Sequence, residues 1–180
     1  HIPDGILQNK LAGKVLSTYV CRNCKKFFAT YFNDAMAKCK HCGALSAVCP
    51  TVGFGLSIPD LVQVYNLFDL YAQYAICEGF GMPQVEAAAC GVPVAATDYS
   101  AMSDVVRHTK GYPIRISKTF REIETNANRV YPDNEHMADV MLEFFSLTKE
   151  ERASKCFDAR KGAVSRYNWN DTAKEWEKYI

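Results

Sequence analysis

The sequence predicts an α/β fold in which a parallel β-sheet is flanked by helices, with a small metal-binding module inserted. Three observations lead to this fold class. From about residue 50 onward, short apolar stretches alternate with segments of helical periodicity. Four cysteines form two C-x-x-C pairs near the start of the chain. A length of 180 residues and a hydrophobic fraction of 48% are typical of one globular domain with a core.

The charge of the chain is almost balanced. Lysine and arginine total 21, aspartate and glutamate total 20, and the formal net charge is +1. This total gives no general reason to expect binding to nucleic acid or to an anionic membrane. We find no transmembrane pattern and no secretory signal, and we expect a cytoplasmic protein. Because the chain begins at His1 and not at Met, we expect it to be part of a longer protein.

The first elements surround the cysteine pairs. Asp4 can cap a helix that Gly13 ends. The next elements are a strand, the cysteine module and a short strand or turn, at residues 15–20, 21–49 and 52–55.

Beyond residue 56, apolar strands alternate with amphipathic helices. A helix begins at Pro59, and its inward face repeats every three or four residues at Leu61, Val64, Tyr65 and Phe68. The elements that follow are a buried strand at 70–77, a turn at 79–82, a helix at 83–90 ended by Gly91, a buried strand at 92–97, a helix at 101–107 capped by Ser100 and a strand at 112–116. This alternation predicts the parallel sheet.

The remainder of the chain is predicted to be helical. One helix carries an apolar stripe made of Met137, Val140, Met141, Phe144 and Phe145. The next begins with the capping box Thr148–Glu151 and turns inward Ala153, Cys156, Phe157 and Val164. Asn170 caps the last helix, whose inward residues are Ala173, Trp176 and Ile180.

Four cysteines have the spacing of a metal site, Cys21-x2-Cys24-x14-Cys39-x2-Cys42. A gap of two residues lets both thiolates of a pair turn toward one ion at tetrahedral angles. Because we find no secretory signal, metal ligation is favoured over disulfides. Protein ligands fill all four positions, so we expect a structural site without an open position for catalysis.

Zinc is the metal that we expect, and iron in a rubredoxin-like site is its main rival. Replacement of one ligand by His41 or Cys49 is a lesser alternative. Basic residues beside the cysteines would offset the formal charge of about −2 on a zinc tetrathiolate. They are Arg22, Lys25, Lys26, Lys38 and Lys40. We assign residues 21–49 to this zinc-ribbon-like insertion, and residues 1–20 and 50–180 to the α/β body.

Three further cysteines, Cys77, Cys90 and Cys156, lie at apolar strand ends or in helix stripes. A cysteine in such a place behaves as a small hydrophobic residue. No histidine is adjacent in sequence to activate any of them, and we expect plain core residues.

Two glutamates interrupt the most apolar stretch of the body. Glu78 follows a predicted parallel strand, at the edge where ligands bind in open α/β sheets. Gly79 and Gly81 leave room for a ligand near the backbone. The helix that begins near Pro83 presents N–H groups to a phosphate. Glu86 lies one turn into that helix, and each carboxylate can accept hydrogen bonds from a vicinal diol, so the pair suits a sugar and a ribose.

Each acid also has an interpretation without function. Glu86 can be a first-turn glutamate favoured by the helix dipole, and Glu78 a simple loop carboxylate. The glycine turn and the small residues Ala87–Cys90 weaken this interpretation, because they imply close packing around the acids.

The stretch EGFGMPQVEAAACGVPV, residues 78–94, resembles the signature of group 1 retaining glycosyltransferases with the GT-B fold. That signature has two glutamates separated by seven residues, as Glu78 and Glu86 are. Residues 60–71 and 167–169 are similar to other parts of the family pattern. The resemblance covers about residues 50–180.

This resemblance implies a Rossmann-like domain, the C-terminal half of a GT-B enzyme, that binds a nucleotide sugar. By resemblance, Glu78 contacts the transferred sugar and Glu86 binds the ribose diol. Backbone N–H groups of Phe80, Gly81 and Met82 hold the sugar or the phosphate. The resemblance implies no catalytic metal, so catalysis rests on positioning and on stabilising the leaving diphosphate.

The sequence departs from the family pattern in several places. Ala75 stands where the family usually has serine, and the cysteine module is not general in the family. We find no match to the arginine and lysine that neutralise the diphosphate, and no acceptor-binding N-terminal domain. We therefore expect half of an active site, and a chain that transfers no hexose by itself.

A second hypothesis is a zinc-ribbon module that binds protein or nucleic acid on a non-catalytic glycosyltransferase-like scaffold. Such a module would not need the pair Glu78 and Glu86, which is present with its full turn. The balanced charge counts against nucleic acid. The partners that we expect are a nucleotide sugar and a missing N-terminal domain.

Overall fold

A computed structural model describes residues 13–31, 37–48 and 56–180. The chain divides into two compact units, His1–Val64 and Tyr65–Ile180. The helix predicted from Asp4 and the strand or turn predicted at 52–55 lie outside the described residues. Among the helices of the described ranges, none combines the length and apolarity that crossing a bilayer requires.

The first unit contains an antiparallel sheet of three strands in the order β2-β1-β3. Its strands are β1 (Leu16–Cys21), β2 (Phe27–Tyr31) and β3 (Ala47–Val48). The central strand β1 confirms the strand predicted at 15–20. The rings of Tyr19 and Phe28 stack at a centroid distance of 5.7 Å, and Cys21 and Cys39 belong to the same small buried core.

Helix α1 (Ile58–Tyr65) has Pro59 in its first turn, as predicted. The hydroxyl oxygen of Ser57 accepts the N–H of Asp60 at 3.3 Å, which caps the helix. The helix is shorter than predicted, because Phe68 lies beyond its last residue.

The second unit is built on a parallel sheet, β4-β5-β6, which confirms the predicted α/β class. Its elements are β4 (Tyr71–Gln73), α2 (Met82–Ala89), β5 (Val94–Thr97), α3 (Ala101–His108) and β6 (Tyr112–Ile114). All four residues of β5 are buried. Val94 and Ala96 belong to one hydrophobic cluster and Ala95 to another, so both faces of the sheet are covered.

Three helices complete this unit, α4 (Asn134–Ser146), α5 (Lys149–Arg166) and α6 (Trp169–Glu177). Helix α4 contributes Met137, Val140 and Phe144 to the cluster of Ala95, which confirms three of the five residues of its predicted stripe. Helix α5 contributes alanines, Ala159 and Ala163, to the cluster on the opposite face. Helices therefore flank the sheet on both sides, as the sequence predicts.

The buried face of α5 differs from the prediction. Phe157 and Val164, predicted to point inward, are 67% and 56% exposed. Small residues take the inward positions because the backbones of α5 and α3 lie very close together. A Cβ on Gly162 would overlap the main-chain oxygen of His108.

An antiparallel hairpin, β7 (Ile116–Arg121) and β8 (Asn128–Pro132), stands where the chain was predicted to be helical, so that prediction is wrong there. Most of β7 is exposed on both faces, and the alternation that marks a half-buried strand is lost. The rings of Phe120 and Tyr131 stack at 4.7 Å across the hairpin.

The ends of the last two helices test the predicted caps. The capping box of α5 is confirmed, because Oγ1 of Thr148 accepts the N–H of Glu151 at 3.2 Å and Oε2 of Glu151 accepts the N–H of Thr148 at 2.8 Å. Asn168 caps α6, and the predicted cap Asn170 is wrong by two residues. Helix α6 buries none of its residues, so Trp176, predicted to point inward, is 65% exposed.

Candidate functional site

The chain leaves the parallel sheet just before the two glutamates. β4 ends at Gln73, so the strand predicted at 70–77 is shorter than expected, and Ile76 is 40% exposed. The main-chain oxygen of Ile76 accepts the N–H of Val130 from β8 at 3.3 Å. Glu78 therefore lies in the loop between the edge of the sheet and α2.

The turn of residues 79–82 enters α2 through a left-handed glycine. Gly81 has φ 81° and ψ 54° and occupies the N-cap position of α2. An added Cβ at Gly81 would overlap Nε2 of Gln84. Gln84 is fully buried, and its Nε2 donates to the main-chain oxygen of Phe80 at 3.2 Å. Glycine is therefore required at position 81, and the Gln84 amide holds the shape of the turn.

The N-terminal end of α2 has no side-chain cap. Pro83 lies in its first turn, as predicted, where the missing N–H of proline is tolerated. The N–H groups of the first turn and the positive end of the helix dipole lie beside the glycine turn. This end of the helix is therefore able to bind an anion.

Both the side chain and the main chain of Glu78 are held in place. Nε2 of Gln73 donates to Oε1 of Glu78 at 2.8 Å, and the hydroxyl of Tyr71 donates to Oε1 of Gln73 at 2.8 Å. The hydroxyl of Ser100 donates to the main-chain oxygen of Glu78 at 3.1 Å and accepts its N–H at 3.2 Å. Ser100 occupies the N-cap position of α3, as predicted, but its side chain makes no cap bond to that helix.

Glu86 is half-buried on α2, one turn after the glycine turn. The hydroxyl of Tyr65 donates to its Oε2 at 2.8 Å. Burial, followed by the Glu86 carboxylate, raises the pKa of the Tyr65 phenol well above its usual range. Tyr65 therefore remains a hydrogen-bond donor, and its bond occupies one of the two carboxylate oxygens.

One tyrosine connects the two acids. The ring of Tyr71 meets that of Tyr65 edge to face at a centroid distance of 6.1 Å. The pKa of the Tyr71 phenol is raised by burial and then by the charges of Glu78 and Glu86. Both carboxylates are thus close enough to influence the same hydroxyl.

Four residues of this site were not predicted from the sequence, namely Tyr65, Tyr71, Gln73 and Ser100. The two tyrosines resemble ordinary packing residues in their strand and helix patterns. Gln73 carries a signal of its own, because a polar residue in a buried strand requires a hydrogen-bonding partner.

An apolar cavity of about 390 Å³ adjoins the glycine turn. Its wall comes from the turn, from α2 and from the junction of α5 and α6, and includes Phe80, Met82, Val85, Tyr167 and Trp169. The ring of Phe80 meets that of Tyr167 edge to face at 5.7 Å. The side chain of Phe80 is therefore used to pack the turn against the helices.

The cysteines of the second unit are free thiols, and each is half-buried. Burial raises the pKa of Cys90 and of Cys156, which favours the unreactive thiol form. Cys77 has a cation beside it, since the pKa of Arg129 is raised by Glu122 and also by Cys77. The assignment of these cysteines to the core stays a prediction, and Cys77 is the one with a charged neighbour.

The four cysteines of the first unit converge on one point. The Sγ atoms of Cys21, Cys24, Cys39 and Cys42 all lie within 4.8 Å of one another. Two of the separations are 3.6 Å, between Cys21 and Cys42, and 3.7 Å, between Cys24 and Cys39. A tetrahedron with zinc–sulfur bonds of about 2.3 Å has edges of about 3.8 Å. A disulfide would require about 2.05 Å, so the donor set fits one metal ion.

The turns that carry these cysteines have hydrogen bonds that hold the ligands. The N–H of His41 donates to Sγ of Cys39 at 3.4 Å, and the hydroxyl of Ser46 lies 3.4 Å from Sγ of Cys21. The Ser46 hydroxyl is the main cause that lowers the pKa of Cys21 to about 6, whereas burial and the neighbouring cysteines raise the pKa of Cys24 to about 11. Nε2 of His41 lies 3.0 Å from the main-chain oxygen of Phe27, and among the described residues the cluster is made by cysteines alone. Cys49 lies outside the described residues.

Comparison with known proteins gives two matches. Residues 47–140 match the family described as glycosyl transferases group 1. The chain is also similar to the lipopolysaccharide core biosynthesis mannosyltransferase LpsB of Rhizobium meliloti (strain 1021), with 46% identity over 55 residues. That segment is 31% of this chain and 15% of the mannosyltransferase, so the chain matches only a small part of that protein. The family match begins after the four cysteines, includes both glutamates and covers more than half of the chain. This chain therefore belongs to the group 1 glycosyl transferases.

Proposed function

We propose that the second unit binds the nucleotide-activated sugar donor of a retaining glycosyltransferase, at Glu78, Glu86 and the turn between them. The observation that carries this proposal is the way the two acids are held. Tyr65 donates to Glu86, and Gln73 donates to Glu78, both at 2.8 Å. Each carboxylate is thus fixed by a hydrogen bond to one of its oxygens. This suits a carboxylate whose other oxygen must accept hydrogen bonds from hydroxyl groups of the donor.

In this proposal the donor lies across the glycine turn. The Glu78 carboxylate accepts hydrogen bonds from hydroxyls of the transferred sugar, and the Glu86 carboxylate accepts them from the ribose diol. Gly79 allows the close approach of the donor, because a Cβ there would meet nothing within 4 Å and the space is open. The backbone N–H groups of Phe80, Gly81 and Met82, at the positive end of α2, donate hydrogen bonds to the diphosphate or to the sugar.

Catalysis in this proposal consists of positioning the donor and stabilising the leaving diphosphate, without a catalytic metal. The end of α2 supplies only about half a unit of positive charge. By resemblance to the family, the remaining cations belong to an earlier part of the donor-binding domain, and the acceptor site belongs to an N-terminal domain. The name of the similar protein, a mannosyltransferase, supports a hexose as the transferred sugar.

We also propose that the four cysteines bind zinc as a structural ion. All four ligands come from the protein, which leaves no position for a substrate. The unit has a small core, in which two of the ligands are themselves buried, and metal binding would supply much of its folding energy. Iron is the alternative ion, and metal analysis of the purified protein distinguishes the two.

Saturation-transfer NMR with a panel of nucleotide sugars, the matching nucleoside diphosphates and the free sugars tests the donor proposal on this chain. We expect binding near the millimolar range, about −4 kcal/mol, with signals from both the ribose and the sugar. Glu86→Gln and Glu78→Gln should each weaken it, and Glu175→Gln on the exposed helix α6 is the matched control. Equal binding by all three variants would contradict the proposed site.

A transfer assay tests whether this chain can transfer a sugar by itself. Incubation of this chain with labelled nucleotide sugars and candidate acceptors should give no transfer, because by resemblance to the family the acceptor binds to a different domain. Transfer at an enzyme-like rate would contradict this account and show that the chain contains a complete site.

A further inference from the structure

We propose that the cysteine module is a binding surface for the phosphate backbone of a nucleic acid. Its cationic side chains are grouped around the two cysteine turns, which the convergence of the four sulfur atoms brings side by side. This inference concerns the first unit and is independent of the sugar site proposed for the second.

The balanced charge of the whole chain is the sum of two opposed parts. Positions 13–48 contain six of the 21 lysines and arginines and one of the 20 acidic residues, Asp34, which gives a net charge of +5. All other positions together contain 15 basic and 19 acidic residues, a net charge of −4. Zinc bound to four thiolates would add about −2, and the module would still carry about +3. Charge of this density on so short a segment attracts polyanions.

The positive charges are also concentrated in space. Five of the six basic residues lie within two positions of a clustered cysteine, and all five are exposed, namely Arg22, Lys25, Lys26, Lys38 and Lys40. The four Sγ atoms lie within 4.8 Å of one another, so these side chains extend from one small region. Nζ of Lys40 also donates to the main-chain oxygen of Ala29 at 2.8 Å, which anchors it over the sheet. Residues 13–31 and 37–48 contain no aspartate or glutamate.

The position of the apolar residues favours nucleic acid over a membrane. Cationic side chains alone attract an anionic membrane, but membrane binding is strengthened by apolar side chains that insert beside them. In the described part of this unit before α1, the exposed large apolar residues are Leu16, Tyr31 and Leu45. Leu16 and Tyr31 face each other at the end of the β1–β2 pair away from Cys21, about 16 Å along the strand. Among the described residues, Leu45 alone accompanies the basic ones, whereas a row of phosphates requires only the cations.

Fluorescence anisotropy with a labelled 20-base-pair DNA duplex and with single-stranded DNA and RNA of the same length tests this inference. The zinc-loaded 180-residue chain should bind with a Kd of about 10⁻⁶ to 10⁻⁴ M at physiological salt, and more tightly at 50 mM salt. Each phosphate contact should contribute about −0.9 to the slope of log K against log salt on the duplex. The double variant Lys26→Gln, Lys38→Gln should reduce the slope by about 1.8 if both lysines bind phosphate.

The control double variant is Lys174→Gln, Lys178→Gln, which removes the same charge from the exposed helix α6. It should keep the slope and the affinity of the parent chain. Zinc content and circular dichroism confirm that each variant is folded, and Glu86→Gln should bind nucleic acid like the parent. Three results would overturn the inference: no binding at 50 mM salt, equal losses in the two double variants, or binding to phosphatidylserine vesicles without binding to any oligonucleotide.

Discussion

The hydroxyl of Tyr65 donates a hydrogen bond of 2.8 Å to Oε2 of Glu86, from the last residue of α1 to the middle of α2. Because the pKa of Tyr65 is raised, the proton stays on the phenol through the pH range in which an ordinary tyrosine ionises. This bond selects one orientation of the Glu86 carboxylate.

Tyr65→Phe should therefore weaken binding of the nucleotide sugar by about fivefold, or about 1 kcal/mol, because the carboxylate loses a fixed donor. NMR titration of the variant measures this loss. Tyr179→Phe, which changes a tyrosine that is 83% exposed, is the control and should bind like the parent. An unchanged affinity in Tyr65→Phe would show that the bond does not orient Glu86.

Ser100 offers a second test. Its backbone has φ 52° and ψ −145°. Its hydroxyl forms hydrogen bonds with both the N–H and the main-chain oxygen of Glu78. Ser100→Ala and Ser100→Gly both remove the hydroxyl, and both should weaken donor binding. Glycine adopts this backbone conformation more easily than alanine, so Ser100→Gly should melt at a higher temperature than Ser100→Ala. Thermal unfolding measures the melting temperatures of the two variants. A higher melting temperature for Ser100→Ala than for Ser100→Gly would contradict backbone strain at this position.

The two glycines of the turn should respond differently to alanine. Gly81→Ala should lower the free energy of unfolding by about 1–3 kcal/mol, because residue 81 has a positive φ and its Cβ would overlap Gln84. Gly79→Ala should change it by less than about 0.5 kcal/mol, because its Cβ meets nothing within 4 Å. Urea unfolding compares the two, and equal destabilisation would mean that the turn is not held by Gln84.

Removal of one metal ligand should unfold only the first unit. In Cys39→Ala the module should lose its metal and the sheet β2-β1-β3 its protection from hydrogen exchange, since metal binding and folding are coupled there. The parallel sheet has separate hydrophobic clusters and should keep its protection. Cys156→Ala on α5 is the control and should retain the metal. Loss of protection throughout the chain would contradict this independence.

Local signals in the sequence were sufficient for the turn and helix at the site. Gly81, Pro83 and Gly91 define α2 to within about a residue at each end, because each is favoured for a backbone reason at its position. The four cysteines were equally clear from their spacing. The hairpin β7–β8 was missed because its exposed faces give no alternation.

The partners of the two glutamates could not be predicted, since they come from separate elements. Tyr65 ends α1, Gln73 ends β4 and Ser100 precedes α3, and only the tertiary fold brings them to the loop of Glu78 and to α2. Their sequence neighbourhoods carry no periodicity that points to a carboxylate. The inward face of α5 was predicted wrongly for a related reason. Gly162 lies close to α3 because of the tertiary packing, and the sequence of α5 by itself does not show this.

The central claim is that Glu86 binds the ribose diol of a nucleotide sugar, and a comparison of two donors in two proteins tests it most directly. The nucleotide sugar that binds best and its 2′-deoxyribose analogue are titrated into the parent chain and into Glu86→Gln. We predict that the parent binds the deoxy donor about fivefold more weakly, a loss of about 1 kcal/mol, because a hydrogen bond to a carboxylate is lost. In Glu86→Gln the same change in the donor should alter the affinity by less than about twofold. An equal loss in both proteins would contradict the claim, because the ribose hydroxyl would then bind elsewhere.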